Sequence, residues 1–292
     1  MLDRILFPTD GSAGATAVLE HAIEIADLHG AVLHLLHVAP HRVSEEESGD
    51  ETERETRLTE GERFVADAES RAEESAIETV AEVLSGEPYE AIIDYATSNE
   101  IDIIVMPTHG RSGLRRLLLG STTERVVRRS EVPVLTVRPD EQESLRYPYG
   151  QVLTPTDGSS CANEAVRFGC ELATSTRATL HVLSVVNLAV FGADIRGPML
   201  IDQLEEQAES AVSEASGIAT DVGVEEITET TVHDISVFTG IQSYIEDNDI
   251  DVVVLGTHGH TGLDRYMLGS VAEKLIRSSP VPVLTVREPT EE

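Results

Sequence analysis

The stretch Gly256–Ser270, GTHGHTGLDRYMLGS, decides how the rest of the chain is read. It follows a β-branched run, Asp249–Leu255 (DIDVVVL), and leads into VAEKLIRSS, whose apolar residues recur at helical spacing. The pattern predicts a loop at the carboxyl end of a buried strand, opening onto a helix N-terminus. Gly256, Gly259, Gly262 and Gly269 let the backbone approach a ligand closely. The helix contributes unpaired N–H groups and the positive end of its dipole. Together these suit a phosphate. The same device stands earlier in the chain as PTHGRSGLRRLLLGS, Pro107–Ser121.

Working outward, the repeat extends over both halves. RILFPTDGSA near the start matches QVLTPTDGSS at 151–160, AVLHLLHVA matches ATLHVLSVV, EIDIIVMPTHG matches DIDVVVLGTHG, and VPVLTVR closes each half. A repeat of more than about a hundred residues means duplicated domains, not a solenoid. The expected division is 1–139 and 151–288, with the charged, proline-bearing stretch 140–150 as a linker.

Within the first half, strands are expected at Leu2–Pro8, Ala31–Val38, Ile77–Leu84, Ile101–Met106 and Val132–Val137, and helices at Ala15–His29, Thr56–Ser75, Pro88–Asn99 and Thr122–Ser130. Pro40–Glu55 is acidic with no apolar period and reads as a solvated loop. In the second half an insertion, Leu188–Met199, replaces it. Strands alternating with helices predict an α/β fold: two similar doubly wound domains, each a five-stranded parallel sheet with helices on both faces. In such sheets ligands bind outside the carboxyl ends of the strands, where strand order reverses. If strands one and four are neighbours at that reversal, the PTDGS loop and the glycine loop face one crevice.

The charge balance is extreme: 53 acidic against 21 basic residues, a formal net charge of −32, with Lys274 the only lysine. Such a surface repels nucleic acid and anionic membranes. It predicts a salt-rich cytosol and so a halophilic archaeon or bacterium. The chain has no apolar run fit to span a bilayer and no signal-peptide pattern, which points to the cytoplasm. Cys161 and Cys170 lack metal spacing and read as free thiols.

The ordered set PTDGS, G-x-x-G, nine residues, G-S, and a terminal VPVLTV strand, found twice, resembles the universal stress protein family in its tandem two-domain form. The resemblance implies a Rossmann-like, adenine nucleotide alpha hydrolase-like fold and a nucleotide-dependent role in the stress response. It implies ATP, or AMP or ADP, as ligand, with Mg2+ able to accompany it. Carried onto this chain, Pro155, Thr156 and Asp157 border the adenine and ribose, and Val185 lines the base pocket. Leu255, Gly256, His258 and Gly259 wrap the ribose and first phosphates. Gly269, Ser270, Val271 and Ala272 hold the phosphate tail. In the first half the matching positions are Pro8, Thr9, Asp10, Val38, Met106, Gly110, Gly120, Ser121, Thr122 and Thr123. In the family the terminal strand mediates dimerisation, which implies a pseudo-dimer of the two halves and leaves a further homodimer open. A protein partner is implied but not identified.

Competing readings stay beside this one. Ser121 with Glu124, and Ser270 with Glu273, have capping-box spacing and can simply cap helices. Asp10 and Asp157 are ordinary residues before a helix. Pro107 replaces the first glycine and lacks an N–H, which weakens the first site. Against that, Arg111, Arg115 and Arg116 can neutralise phosphate. His258 and His260 invite a catalytic reading, but no Walker A pattern or nucleophile–histidine constellation accompanies them. His34, His37 and His181 lie within strands and read as packed or edge residues, not metal ligands. A slow ATPase or adenylating enzyme, and a nucleotide-free interaction module, are the alternatives to a non-enzymatic binding protein.

Overall fold

The structure, a computed structural model, describes residues 2–40, 51–110, 119–139, 145–191, 197–259 and 268–288. The chain divides into two compact units, Met1–Pro148 and Tyr149–Glu292. In the first, strands β1 (Arg4–Pro8), β2 (Val32–Pro40), β3 (Thr79–Gly86), β4 (Ile103–Pro107) and β5 (Val134–Val137) alternate with helices α1 (Ala13–His29), α2 (Glu51–Glu74), α3 (Pro88–Ser98) and α4 (Ser121–Arg129). In the second, β6 (Gln151–Pro155), β7 (Thr179–Asn187), β8 (Ile227–Asp234), β9 (Val252–Gly256) and β10 (Val283–Val286) alternate with α5 (Ser160–Thr176), α6 (Gly197–Val222), α7 (Val237–Asp247) and α8 (Ser270–Ser278). A 3-10 turn, Leu188–Phe191, precedes α6.

Within each unit the strands follow a parallel, doubly wound order: β3-β2-β1-β4-β5 in one and β8-β7-β6-β9-β10 in the other. The central strands are apolar on both faces, as helices on each side require. Ile5, Leu6, Phe7, Ile104 and Val105 are fully enclosed in the first unit, and Val152, Leu153, Val252 and Val253 in the second.

Most expected boundaries shift by one or two residues; two differ by more. Helix α2 begins at Glu51, inside the stretch expected to be loop. Its first turn is Glu- and Arg-rich: good helix formers with no apolar period to reveal them. The insertion in the second half contributes the start of α6, which begins at Gly197. Residues 41–50 of the acidic stretch and 192–196 of the insertion lie outside the described residues. The linker stretch up to Pro148 belongs to the first unit, where the Tyr147 hydroxyl pairs with the His29 imidazole on α1, and Tyr149 and Gly150 belong to the second.

A buried histidine pairs with a tyrosine at the same place in each unit. His34 Nδ1 lies 2.9 Å from the Tyr95 hydroxyl, and His181 Nδ1 lies 2.9 Å from that of Tyr244. His181 Nε2 also meets Gln151 Oε1 at 2.6 Å. Both rings are packed, as their strand positions suggested. Burial pushes both imidazoles below the ordinary histidine range, with Arg4 adding to the effect at His34. The folded state therefore favours neutral rings, and unfolding takes up protons below about pH 6.5. This stability is complete above that value and declines as pH falls. Each such proton steepens the decline by about 1.4 kcal/mol per pH unit. Chemical unfolding between about pH 7.5 and 5.5 should show a shallower decline for the double variant His34→Gln/His181→Gln than for the parent. Parallel declines would refute it.

Candidate functional site

The site begins where a ladder stops. β1 and β4 pair only at Ile5–Ile103 and Leu6–Ile104, and β6 and β9 only at Val152–Val252 and Leu153–Val253. Beyond those pairs the outer ladders continue, to Pro8–Leu36 and Pro107–Val137 in the first unit. The central strands thus part at their carboxyl ends, at the reversal of strand order.

The two loops meet across this gap. Asp10 Oδ1 accepts from the Ser12 amide at 3.0 Å, and Ser12 Oγ caps α1 by accepting from the Ala15 amide at 3.1 Å. The other carboxylate oxygen, Oδ2, lies 2.3 Å from where a Cβ on Gly110 would stand, so any side chain there must displace Asp10. The second unit repeats this: Asp157 Oδ1 accepts from Ser159 at 3.0 Å, and Oδ2 lies 2.2 Å from the Cβ position of Gly259. Asp10 and Asp157 therefore shape the turn with one oxygen and place the other close against Gly110 and Gly259.

The far end of each glycine loop returns to its start. The Gly120 amide donates to the Thr108 carbonyl at 2.7 Å, and the Gly269 amide to that of Thr257 at 2.7 Å. These bonds make Gly120 and Gly269 the N-cap residues, with Ser121 and Ser270 already inside the helices. The capping-box reading is therefore corrected: neither helix has a side-chain cap, because loop closure sets the first turn one residue early. Glu124 and Glu273 pair forward instead, with Arg128 and Arg277 at 2.8 Å. The amides opening α4 and α8 are not taken by a capping side chain, the arrangement that accepts an anion.

In the first unit the gap opens into a cavity of about 980 Å³, at the upper end of the range for small-molecule sites. All ten first-half positions singled out from sequence line it: Pro8, Thr9, Asp10, Val38, Met106, Gly110, Gly120, Ser121, Thr122 and Thr123. Thr123 does so as an anchor, its buried hydroxyl donating to the Pro107 carbonyl at 3.0 Å. The twelve second-half positions hold matching places. Pro155 ends β6, with Thr156 and Asp157 in the turn after it, and Val185 is on β7. Leu255 and Gly256 end β9, and His258 and Gly259 follow it. Gly269, Ser270, Val271 and Ala272 open α8. Ala272 is buried. His258 Nδ1 lies 3.0 Å from the Thr257 hydroxyl, as His109 does from Thr108 at 3.2 Å. Arg111, Arg115, Arg116 and His260 lie outside the described residues.

Sequence reasoning missed one wall of this cavity. His37 on β2 and Arg57, Glu60 and Phe64 on α2 line it too. No motif marks them. The available signal was the helical spacing of 57, 60 and 64, which puts them on one face.

The halves differ at the first glycine position. Amides of a strand alternate sides, and those of Ile104 and Thr108 donate toward β5. The nitrogen of residue 107 therefore faces β1, where the ladder has already stopped. Pro107 costs no ladder bond there but offers the gap no donor. In the second unit the amides of Val253 and Thr257 donate toward β10, so the Gly256 amide faces the gap. Gly256 is also required by packing, because a Cβ there would lie 2.9 Å from Cys161 Sγ. At the position of Cys161 the first unit has Gly14. The bulky and small partners are exchanged between the halves.

Comparison with known proteins agrees with this architecture. The family model described as "Universal stress protein family" matches residues 1–138 and 148–287. A universal stress protein of Methanocaldococcus jannaschii is 34% identical over 143 residues, 48% of this chain and 84% of that protein. One from Mycolicibacterium smegmatis is 26% identical over 302 residues, covering 97% of this chain and 96% of its own. Among solved structures, a universal stress protein from Archaeoglobus fulgidus aligns over 98% of both chains with a TM-score of 0.72 at 22% identity, a likeness of fold. With its two matched halves, the chain belongs to the universal stress protein family.

Proposed function

We propose that this chain binds adenine nucleotides, ATP foremost, and acts as a nucleotide-dependent sensor or switch in the stress response of a salt-rich cytoplasm. One observation carries this reading: a helix N-terminus without a side-chain cap, a glycine whose Cβ would displace Asp10, and the Asp10 carboxylate itself converge on a cavity of about 980 Å³. A nucleotide fits that donor set. The amides of Ser121 and Thr122, with their equivalents Ser270 and Val271, suit the phosphates, and the carboxylates of Asp10 and Asp157 suit ribose hydroxyls or a base amine. Among the described residues no cluster of three His, Cys, Asp or Glu side chains could hold a metal ion. Any Mg2+ then arrives with the nucleotide's own phosphates. Asp10 and Asp157 are committed to their turns, so hydrolysis is slow and the role is binding. The switch works through the nucleotide: phosphates drawn to α4 and α8 alter the surface that the chain presents to a protein partner.

The test is calorimetry with ATP on protein freed of co-purified ligand, alongside mass spectrometry of whatever is released. Saturable binding at up to two sites and an adenine nucleotide in the released material are expected. Absence of both heat and thermal shift with ATP would favour the nucleotide-free interaction module. Robust multiple turnover of ATP would favour the enzyme.

A further inference from the structure

The halves repeat the phosphate device but not the wall across from it. Two contacts fix how the walls match. A Cβ on Gly11 would strike the Phe64 ring, and one on Gly158 would meet Ala211 at 3.3 Å. The helices end alike, Ala72 and Ala219 accepting from the amides of Ile77 and Val224. On this match His37, Arg57 and Phe64 correspond to Ser184, Leu204 and Ala211.

In the first half these groups are assembled as a set. His37 Nδ1 lies 2.8 Å from the Thr9 carbonyl, so that nitrogen donates, and the residue lines the cavity. The imidazole packs edge-on against Phe64, with ring centroids 5.5 Å apart. Gly61 makes room for it, since a Cβ there would lie 2.4 Å from the ring. Opposite the smaller Ser184 the second half has Ala208. Arg57 lies two turns before Phe64 on the same face of α2, half-buried at the cavity.

Sheet order says which end of a nucleotide meets this wall. The glycine loop and α4 follow β4, on one side of β1. His37 is on β2, on the other side, with α2 behind it. Phosphates held at α4 leave the base against β2 and α2. An imidazole, a phenyl edge and a guanidinium suit a planar π-face, and a purine offers more of it than a pyrimidine.

Resting on the nucleotide reading above, we propose that the first half selects its nucleotide by the base, through His37, Arg57 and Phe64, whereas the second half, with Ser184, Leu204 and Ala211, is permissive. The test uses full-length chains with one site disabled, Gly259→Asp to isolate the first half and Gly110→Asp to isolate the second, titrated with ATP and UTP. The isolated first half should prefer ATP by about tenfold or more, and the second by about threefold or less. Arg57→Leu, a change on a half-exposed helix face, should bring the first-half ratio down toward threefold by weakening ATP more than UTP. Leu204→Arg with Ser184→His should raise the ratio of the second. If a single-site chain misfolds, Arg57→Leu in the otherwise intact chain reads the same change at one of two sites. Equal ratios in the two halves, or a ratio unmoved by Arg57→Leu, would overturn the proposal while leaving nucleotide binding standing. No ATP binding by either properly folded single-site chain, or by the intact chain, would overturn the nucleotide reading and this proposal together.

Discussion

Gly259→Asp is expected to abolish nucleotide binding in the second half, weakening it at least about 100-fold, or about 2.7 kcal/mol. The reason is steric before it is electrostatic. Asp157 Oδ2 already occupies the space 2.2 Å from the Cβ position of residue 259. Any side chain must push Asp157 away or move the loop. Asp157 cannot yield freely, because its other oxygen holds the Ser159 amide and with it the turn before α5. An aspartate adds a second carboxylate where phosphates are expected. Gly259→Ala separates the effects: it displaces Asp157 without new charge and should cost less. Gly110→Asp does the same to the first half, where Asp10 Oδ2 lies 2.3 Å from the Cβ position. The two losses should differ in consequence. Gly256 turns an amide toward the gap and Pro107 has none to turn, so the second half should be the tighter site. In calorimetry, Gly259→Asp should therefore leave the weaker site and Gly110→Asp the stronger. Pro107→Gly should narrow the difference. The reverse order, with tight binding lost only in Gly110→Asp, would contradict this ranking of the sites.

What could be read without the structure follows from which features are local. Buried parallel strands appear as β-branched runs, so β4 and β9 were legible from IDIIVM and DIDVVVL. Their alternation with helices determined sheet type, and the repeat of PTDGS and the glycine loop placed two loops at one strand reversal. The capping residues were misplaced by one because S-x-x-E is a local pattern, whereas the N-cap is set by a bond across the loop, Gly120 to Thr108. The start of α2 was missed because Glu51–Glu55 carries no apolar period. The wall of His37, Arg57 and Phe64 was missed for a deeper reason. Its members are 20 and 7 residues apart (57 − 37 and 64 − 57), and they meet only because α2 crosses back over β2. His37 looked like one more packed strand histidine. It is packed, but against Thr9 and Phe64 at the cavity, while His34 and His181 pair with tyrosines away from it.

Between dilute buffer and molar potassium chloride the thermal unfolding midpoint is expected to rise by more than about 10 °C, corresponding to roughly 3–5 kcal/mol. The chain has 53 acidic and 21 basic residues, so pairing every basic group once still leaves 53 − 21 = 32 carboxylates unmatched. Several observed pairs are partly exposed: Arg4 with Glu100, Arg71 with Glu20, and Arg125 with Glu87. Each contributes only about 0.2–1 kcal/mol, too little to offset the excess. Folding gathers the remaining carboxylates onto a compact surface, and unfolding spreads them apart, so their repulsion works against the native state. At about 0.01 M salt the screening length is about 30 Å, comparable to a domain, and nearly every pair of carboxylates on a unit repels. At about 1 M it is about 3 Å, and only adjacent groups do. The proposed nucleotide binding should respond to the same field. A polyphosphate approaching the cavity meets a net negative protein, so its association rate should rise with salt, opposite to the usual slowing of an anion drawn to a basic site. Melting curves and stopped-flow association across one potassium chloride series read both effects. Equal midpoints at the two extremes would show that the acidic excess is neutralised some other way, and an association rate that falls with salt would point to a local basic field at the cavity mouth.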